Sequence, residues 1–134
     1  MKQILFLSLV VLVGATTLLL VSQKTSANAM MESESISGTC HYNSLQGEPI
    51  NGLKVTVTGG GQVWYATTNG DGYYFVGADF ENDVTYTIVA ESPDFNANGG
   101  WRGTATVYVS CEIPPCSFGN QVRNIACTYY DNPN

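Results

Sequence analysis

An apolar run from Ile4 to Val21, interrupted only by Ser8, Gly14, Thr16 and Thr17, opens the chain, and the pattern then changes. From residue 36 onward apolar and polar positions alternate in short bursts, and no stretch carries a helical period. Leu53, Val55 and Val57 fall on one face of an extended segment, with Lys54, Thr56 and Thr58 on the other. Val84, Tyr86, Ile88 and Ala90 repeat that arrangement. Successive side chains of a strand point to opposite faces, so a period of two predicts strands with one buried and one wet face. Further extended runs lie at 36–41, 63–68, 73–76, 103–111 and 121–127. Between them stand breakers: Gly59-Gly60-Gly61, Asn69-Gly70-Asp71-Gly72, the acidic stretch 79–83, a loop with Pro93, Gly99 and Gly100, and Pro114-Pro115. Strands at this spacing predict an all-β, seven-stranded, two-sheet sandwich.

The opening run has Lys2 before it and Ala27-Asn28-Ala29 after it. A charged start, an apolar middle and a small-x-small end form the pattern of a secretory signal peptide. The expected organisation is a signal peptide at 1–29, a loose segment at 30–35, the β domain at 36–128 and a tail at 129–134. The product would be secreted, to the extracellular space or a periplasm. The rival reading keeps residues 4–21 as a membrane anchor, since 18 apolar residues is the lower limit for a span.

Charge narrows the partners. Loss of Lys2 and Lys24 with the leader would take the net charge from −6 to −8 and leave Lys54, Arg102 and Arg123 as the only Lys or Arg. Nucleic acid binding needs clustered cations to displace counterions, so nucleic acid is excluded as a partner, and anionic membrane surfaces with it. The four cysteines, Cys40, Cys111, Cys116 and Cys127, all follow the leader. An even count in a short exported chain reads as two disulfides, with three pairings open. A four-thiolate zinc site is disfavoured, because no C-x2-C knuckle occurs.

Ile36-x-Gly38-x-Cys40, Gly47-x-Pro49-Ile50-x-Gly52-x-x-Val55-x-Val57, Thr68-Asn69-x-Asp71-Gly72-x-Tyr74-x-Val76 and Tyr86-x-Ile88-x-Ala90 follow one another in order. Together they resemble the carboxypeptidase regulatory-like family. That resemblance implies a transthyretin-like (prealbumin-like, Ig-like) sandwich, some of whose relatives are classed with carbohydrate-binding-like folds. It also implies a non-catalytic attachment module. Cys40 stands where the family usually has an aliphatic residue, and its parity points it inward. First and last strands of that fold can lie close together, so the resemblance favours Cys40–Cys127, with Cys111–Cys116 as a local clip around Pro114-Pro115.

Little in the sequence suggests catalysis. His41 is the only histidine, and no G-x-S-x-G elbow or second metal-binding histidine accompanies it. It reads as a strand-end surface residue. Asp71, Asp79, Glu81 and Asp83 offer hard oxygen ligands and form a candidate calcium set, without the D-x-[DN]-x-[DN]-G signature. No other cofactor is expected. Alternation cannot bury both Trp64 and Tyr65, or both Tyr74 and Phe75, so some rings must face outward. Trp64, Tyr73 and Trp101 form the candidate binding set for a sugar ring or partner protein. The expected function is a non-enzymatic secreted module with a structural, adhesive or protein-binding role, its partner an extracellular protein or glycan. The alternatives are a carbohydrate-binding module and an enzyme or enzyme inhibitor of unrecognised type.

Overall fold

Residues 34–110 and 119–132 are described by a computed structural model, and all of them belong to a unit that spans Ser33–Asn134. The expected leader or anchor, Cys111, Cys116 and the last two residues lie outside the described residues. Among the described residues no helix is long and apolar enough to cross a membrane.

The unit is all-β. Its strands are β1 (Ser35–Tyr42), β2 (Lys54–Gly59), β3 (Gln62–Thr67), β4 (Tyr73–Gly77), β5 (Val84–Glu91), β6 (Gly99–Val109), β7 (Asn120–Val122) and β8 (Ile125–Asp131). They form one hydrogen-bonded sheet in the order β3-β2-β5-β6-β8-β1-β4, with β7 also paired to β1. Two separate sheets and seven strands were expected. The difference arises at the end of the chain, where the last extended run breaks at Arg123-Asn124 and its second half bridges both halves of the sheet. The inward residues of both halves belong to one core, in which Val55, Val57, Ile88 and Val107 join Ile36, Cys40, Tyr74 and Val76. A shared core requires the sheet to fold over on itself, giving a sandwich-like form.

Alternation fixes which side chains enter that core. In β5, Tyr86, Ile88 and Ala90 are buried while Thr85 and Thr87 are exposed. Gly60 and Gly61 have φ of 57° and 74°, so the triple glycine closes the β2–β3 hairpin as its sequence suggests. Asn69–Gly72 is a turn but not a hairpin. Asn69 Oδ1 accepts from the amides of Asp71 and Tyr73, and the chain crosses from β3 to β4, which pair with different neighbours.

Three segments depart from the sequence reading. β6 begins at Gly99 rather than Gly103, because Gly99 and Gly100 pair with Asp131 and Tyr130. The expected tail is thereby strand as far as Asp131. A helical turn, Phe95–Asn98, occupies the loop before β6.

Candidate functional site

The candidate aromatic set does not assemble on the surface. Trp64 pairs with the fully buried Val57, and cross-strand partners share a face. Its ring therefore turns inward, 5.3 Å from Phe80 and 5.9 Å from Tyr86. Trp101 has the same parity as buried Gly103 and Val107 and packs between Tyr42 (4.7 Å) and Tyr129 (5.4 Å). Of the three, only Tyr73 exposes much of its surface, at 41%. The rings that do face solvent include Tyr65, Phe75, Tyr108, Tyr129 and Tyr130. Residue parity was readable from sequence, but which parity faces inward depends on the register with the neighbouring strand.

The candidate calcium ligands also stay apart. Asp71 lies in the β3–β4 turn, and Asp79, Glu81 and Asp83 in the β4–β5 connection. No three His, Cys, Asp or Glu side chains among the described residues come close enough to hold a metal. Glu81 leans toward Gly60, and Asp83 accepts a hydrogen bond from the Tyr108 hydroxyl at 3.2 Å. All four acids are exposed.

His41 is held structurally. Its Nδ1 lies 2.8 Å from the Gly47 carbonyl oxygen and its Nε2 lies 2.7 Å from Thr39 Oγ1. The Thr39 hydroxyl in turn donates to Asn124 Oδ1 at 3.1 Å. Both ring nitrogens thus tie β1 to the 43–49 loop and, through Thr39, to the β7–β8 joint.

The strongest constellation is the seam where that joint meets β1. Residues 35–37 pair in parallel with 120–122, and 40–42 pair in parallel with 125–127. The offset is 85 positions on both sides of the break, so β7 and β8 together track the whole of β1. At the break the Arg123 amide donates to the Ser37 carbonyl at 2.8 Å, and the Arg123 carbonyl accepts from the Tyr74 hydroxyl at 2.6 Å. Asn120 Oδ1 accepts from the buried hydroxyls of Ser35 (3.0 Å) and Ser37 (2.9 Å). Burial raises the Tyr74 phenol above its ordinary value, and the nearby Cys40 adds to this.

Cys40 and Cys127 meet on the inner side of the seam, both fully buried and both thiols. The Cys40 thiol donates a hydrogen bond to the Cys127 sulfur. That bond, and burial after it, push Cys40 far above the usual thiol range, whereas accepting the bond lowers Cys127. Gly103 on β6 lies opposite, and a Cβ there would come within 3.0 Å of Cys127 Sγ. The missing side chain leaves the space the sulfur fills.

A second feature was not foreseen. The Phe95–Asn98 turn folds over the outer face of β6 and β8 and leaves an open groove of about 450 Å³. Phe95, Arg102, Thr104, Thr128 and Tyr130 line it. The Phe95 and Tyr130 rings meet edge to face at 5.9 Å, and the Arg102 guanidinium lies 5.4 Å from the Phe95 ring. Glu91, opposite Arg102 across the β5–β6 pair, holds it loosely at 3.8 Å. A lone phenylalanine between Asp94 and Asn96 carries no periodic signal, so nothing in the sequence marked it.

No family model matches the chain, and no curated protein matches it. Among solved structures it is similar to a DUF3823 family protein from Parabacteroides merdae ATCC 43184, with a TM-score of 0.49 and 17% sequence identity. The match covers 75% of this chain and 48% of that one, so the chain spans about half the length of that protein.

Proposed function

We propose that this protein is an exported, non-enzymatic module of the carboxypeptidase regulatory-like, prealbumin-like type, and that it serves a structural or adhesive role in which it carries tension. The leader pattern and the quoted glycine, proline and tyrosine spacing support export and the family reading. The observation that carries the mechanical reading is the parallel pairing of β1 with β7 and β8. In a parallel pair, the start of one strand and the end of the other lie at opposite ends. Tension applied before β1 and after β8 therefore shears the pair, and all the bridging hydrogen bonds resist together. An antiparallel pair pulled at one end would open one bond at a time.

Single-molecule pulling of the reduced full chain tests this. Handles ahead of Glu34 and after Asn132 load the seam in shear, whereas handles at Ser44 and after Asn132 peel it. The shear geometry is expected to unfold at a severalfold higher force. Equal forces in the two geometries would contradict the tension-bearing role.

The groove beside Phe95 favours a second reading, a saccharide-binding module. An aromatic pair, a guanidinium and two threonines around an open groove suit a sugar's apolar face and its hydroxyls. A glycan array probed with wild type, Phe95→Ala and Tyr130→Ala checks it. Binding that both substitutions abolish is the expected outcome of this reading, and no binding by wild type removes it.

A further inference from the structure

The seam that would bear tension holds two sulfur atoms at one level, and this bears on where the force would travel. Cys40 is opposite Ile125, and Cys127 is opposite Tyr42, so the two cysteines lie diagonally across one parallel pair on the same inward face. Neither exposes any surface. Their side chains already touch, and Gly103 leaves room for the sulfur of Cys127. A pair of reduced cysteines can serve as small apolar core residues. Behind a secretory leader, however, such a pair meets an oxidising compartment.

We propose that Cys40 and Cys127 are joined by a disulfide in the exported protein, and that this bond diverts tension past residues 41–126, which stay unloaded. The part about tension rests on the structural role proposed above, and the bond rests on the export proposed there. Formation requires an external disulfide, from a thiol–disulfide oxidoreductase or a small-molecule disulfide. One cysteine thiolate attacks a sulfur of that disulfide, forming a mixed disulfide and expelling one thiolate. The second cysteine thiolate attacks the mixed disulfide and expels the other. The two electrons leave with the external dithiol, and the two cysteine protons go to solvent or to the departing thiolates. Either cysteine, as its thiolate, can make the first attack. Because both sulfurs are sealed in the closed sandwich, the exchange belongs to the stage before β8 docks on β1.

With the bond in place, a force path from the start of β1 to the end of β8 runs along 35–40, across the sulfurs and along 127–131. Without it, the 87 residue steps between Cys40 and Cys127 are free to extend, adding about 300 Å at ~3.5 Å per residue.

The test uses full-length protein recovered from the exporting cell. Peptide mapping without reductant is expected to find the Cys40 peptide linked to the Cys127 peptide. Pulling from handles ahead of Glu34 and after Asn132 is expected to lack the extension of about 300 Å until reductant is added. The Cys40→Ser, Cys127→Ser double variant should then behave like the reduced wild type. Should that variant fail to fold, reductant on wild type makes the same comparison. Free thiols at Cys40 and Cys127, or linkage of either to Cys111 or Cys116, would overturn the proposal whatever the forces. A Cys40–Cys127 link combined with equal shear and peel forces in the reduced protein would keep the bond and remove the mechanical role.

Discussion

A Cβ on Gly38 would overlap the Arg123 carbonyl oxygen, because the break between β7 and β8 drives that backbone group directly against β1. Gly52 makes an instructive contrast: its φ is +77°, but nothing lies within 4 Å of a Cβ placed there. Gly38→Ala is therefore expected to cost about 3 kcal/mol or more, since backbone must shift. Gly52→Ala should cost only about 1 kcal/mol of conformational strain. Urea unfolding of the two variants side by side checks the difference, and similar costs would misplace β1. Tyr74 adds a pH signature. Its folded phenol is raised, so its contribution is full below the unfolded value of about 10 and is lost as pH rises past it. Tyr74→Phe should lose about 1–2 kcal/mol at neutral pH through the hydrogen bond to Arg123. It should also flatten the decline in stability above about pH 10. Denaturant titrations at neutral and alkaline pH read both effects.

Elements show how far the sequence could be read. Strands with clean alternation, such as β2 and β5, stand where the pattern puts them, because one buried face is a local property of the chain. β6 and β8 run past their expected limits because Gly99, Gly100 and Trp101 pair with Asp131, Tyr130 and Tyr129 across about 30 positions, a pairing no local pattern displays. The inward turn of Trp101 has the same origin in long-range register, whereas that of Trp64 follows from the register of the β2–β3 hairpin. Gly38 sits at a close approach on an interior strand, β1 being flanked by β4 on one side and by β7 and β8 on the other, and neither neighbour is visible in the local pattern. Asn120 is the element-scale test of that seam. Its side-chain oxygen satisfies the hydroxyls of Ser35 and Ser37, which are otherwise buried. Asn120→Ala is expected to cost about 1–2 kcal/mol, with amide exchange of β1 and of β5 quickened together, since the seam opens only with the whole sandwich. Faster exchange confined to β7 and the start of β1 would argue that the seam opens on its own.

For the whole molecule, the pairing of first strand with last closes the fold, and its Cys40–Cys127 contact is the place where a covalent bond would restrict the unfolded chain most. A loop of this length implies about 4–5 kcal/mol of stabilisation on the chain-entropy estimate. Urea midpoints of the Cys111→Ser, Cys116→Ser variant with and without reductant should differ accordingly. The seam itself is tested most directly by native-state hydrogen exchange of the reduced protein. The Asn43 amide donates to the Cys127 carbonyl at 2.8 Å, and the Arg123 amide to the Ser37 carbonyl at 2.8 Å. If β1, β7 and β8 form the closure of the sandwich, both amides should exchange only with the core amides of β5, at the free energy of global unfolding. Exchange of either one through a low-energy opening, while β5 stays protected, would contradict it.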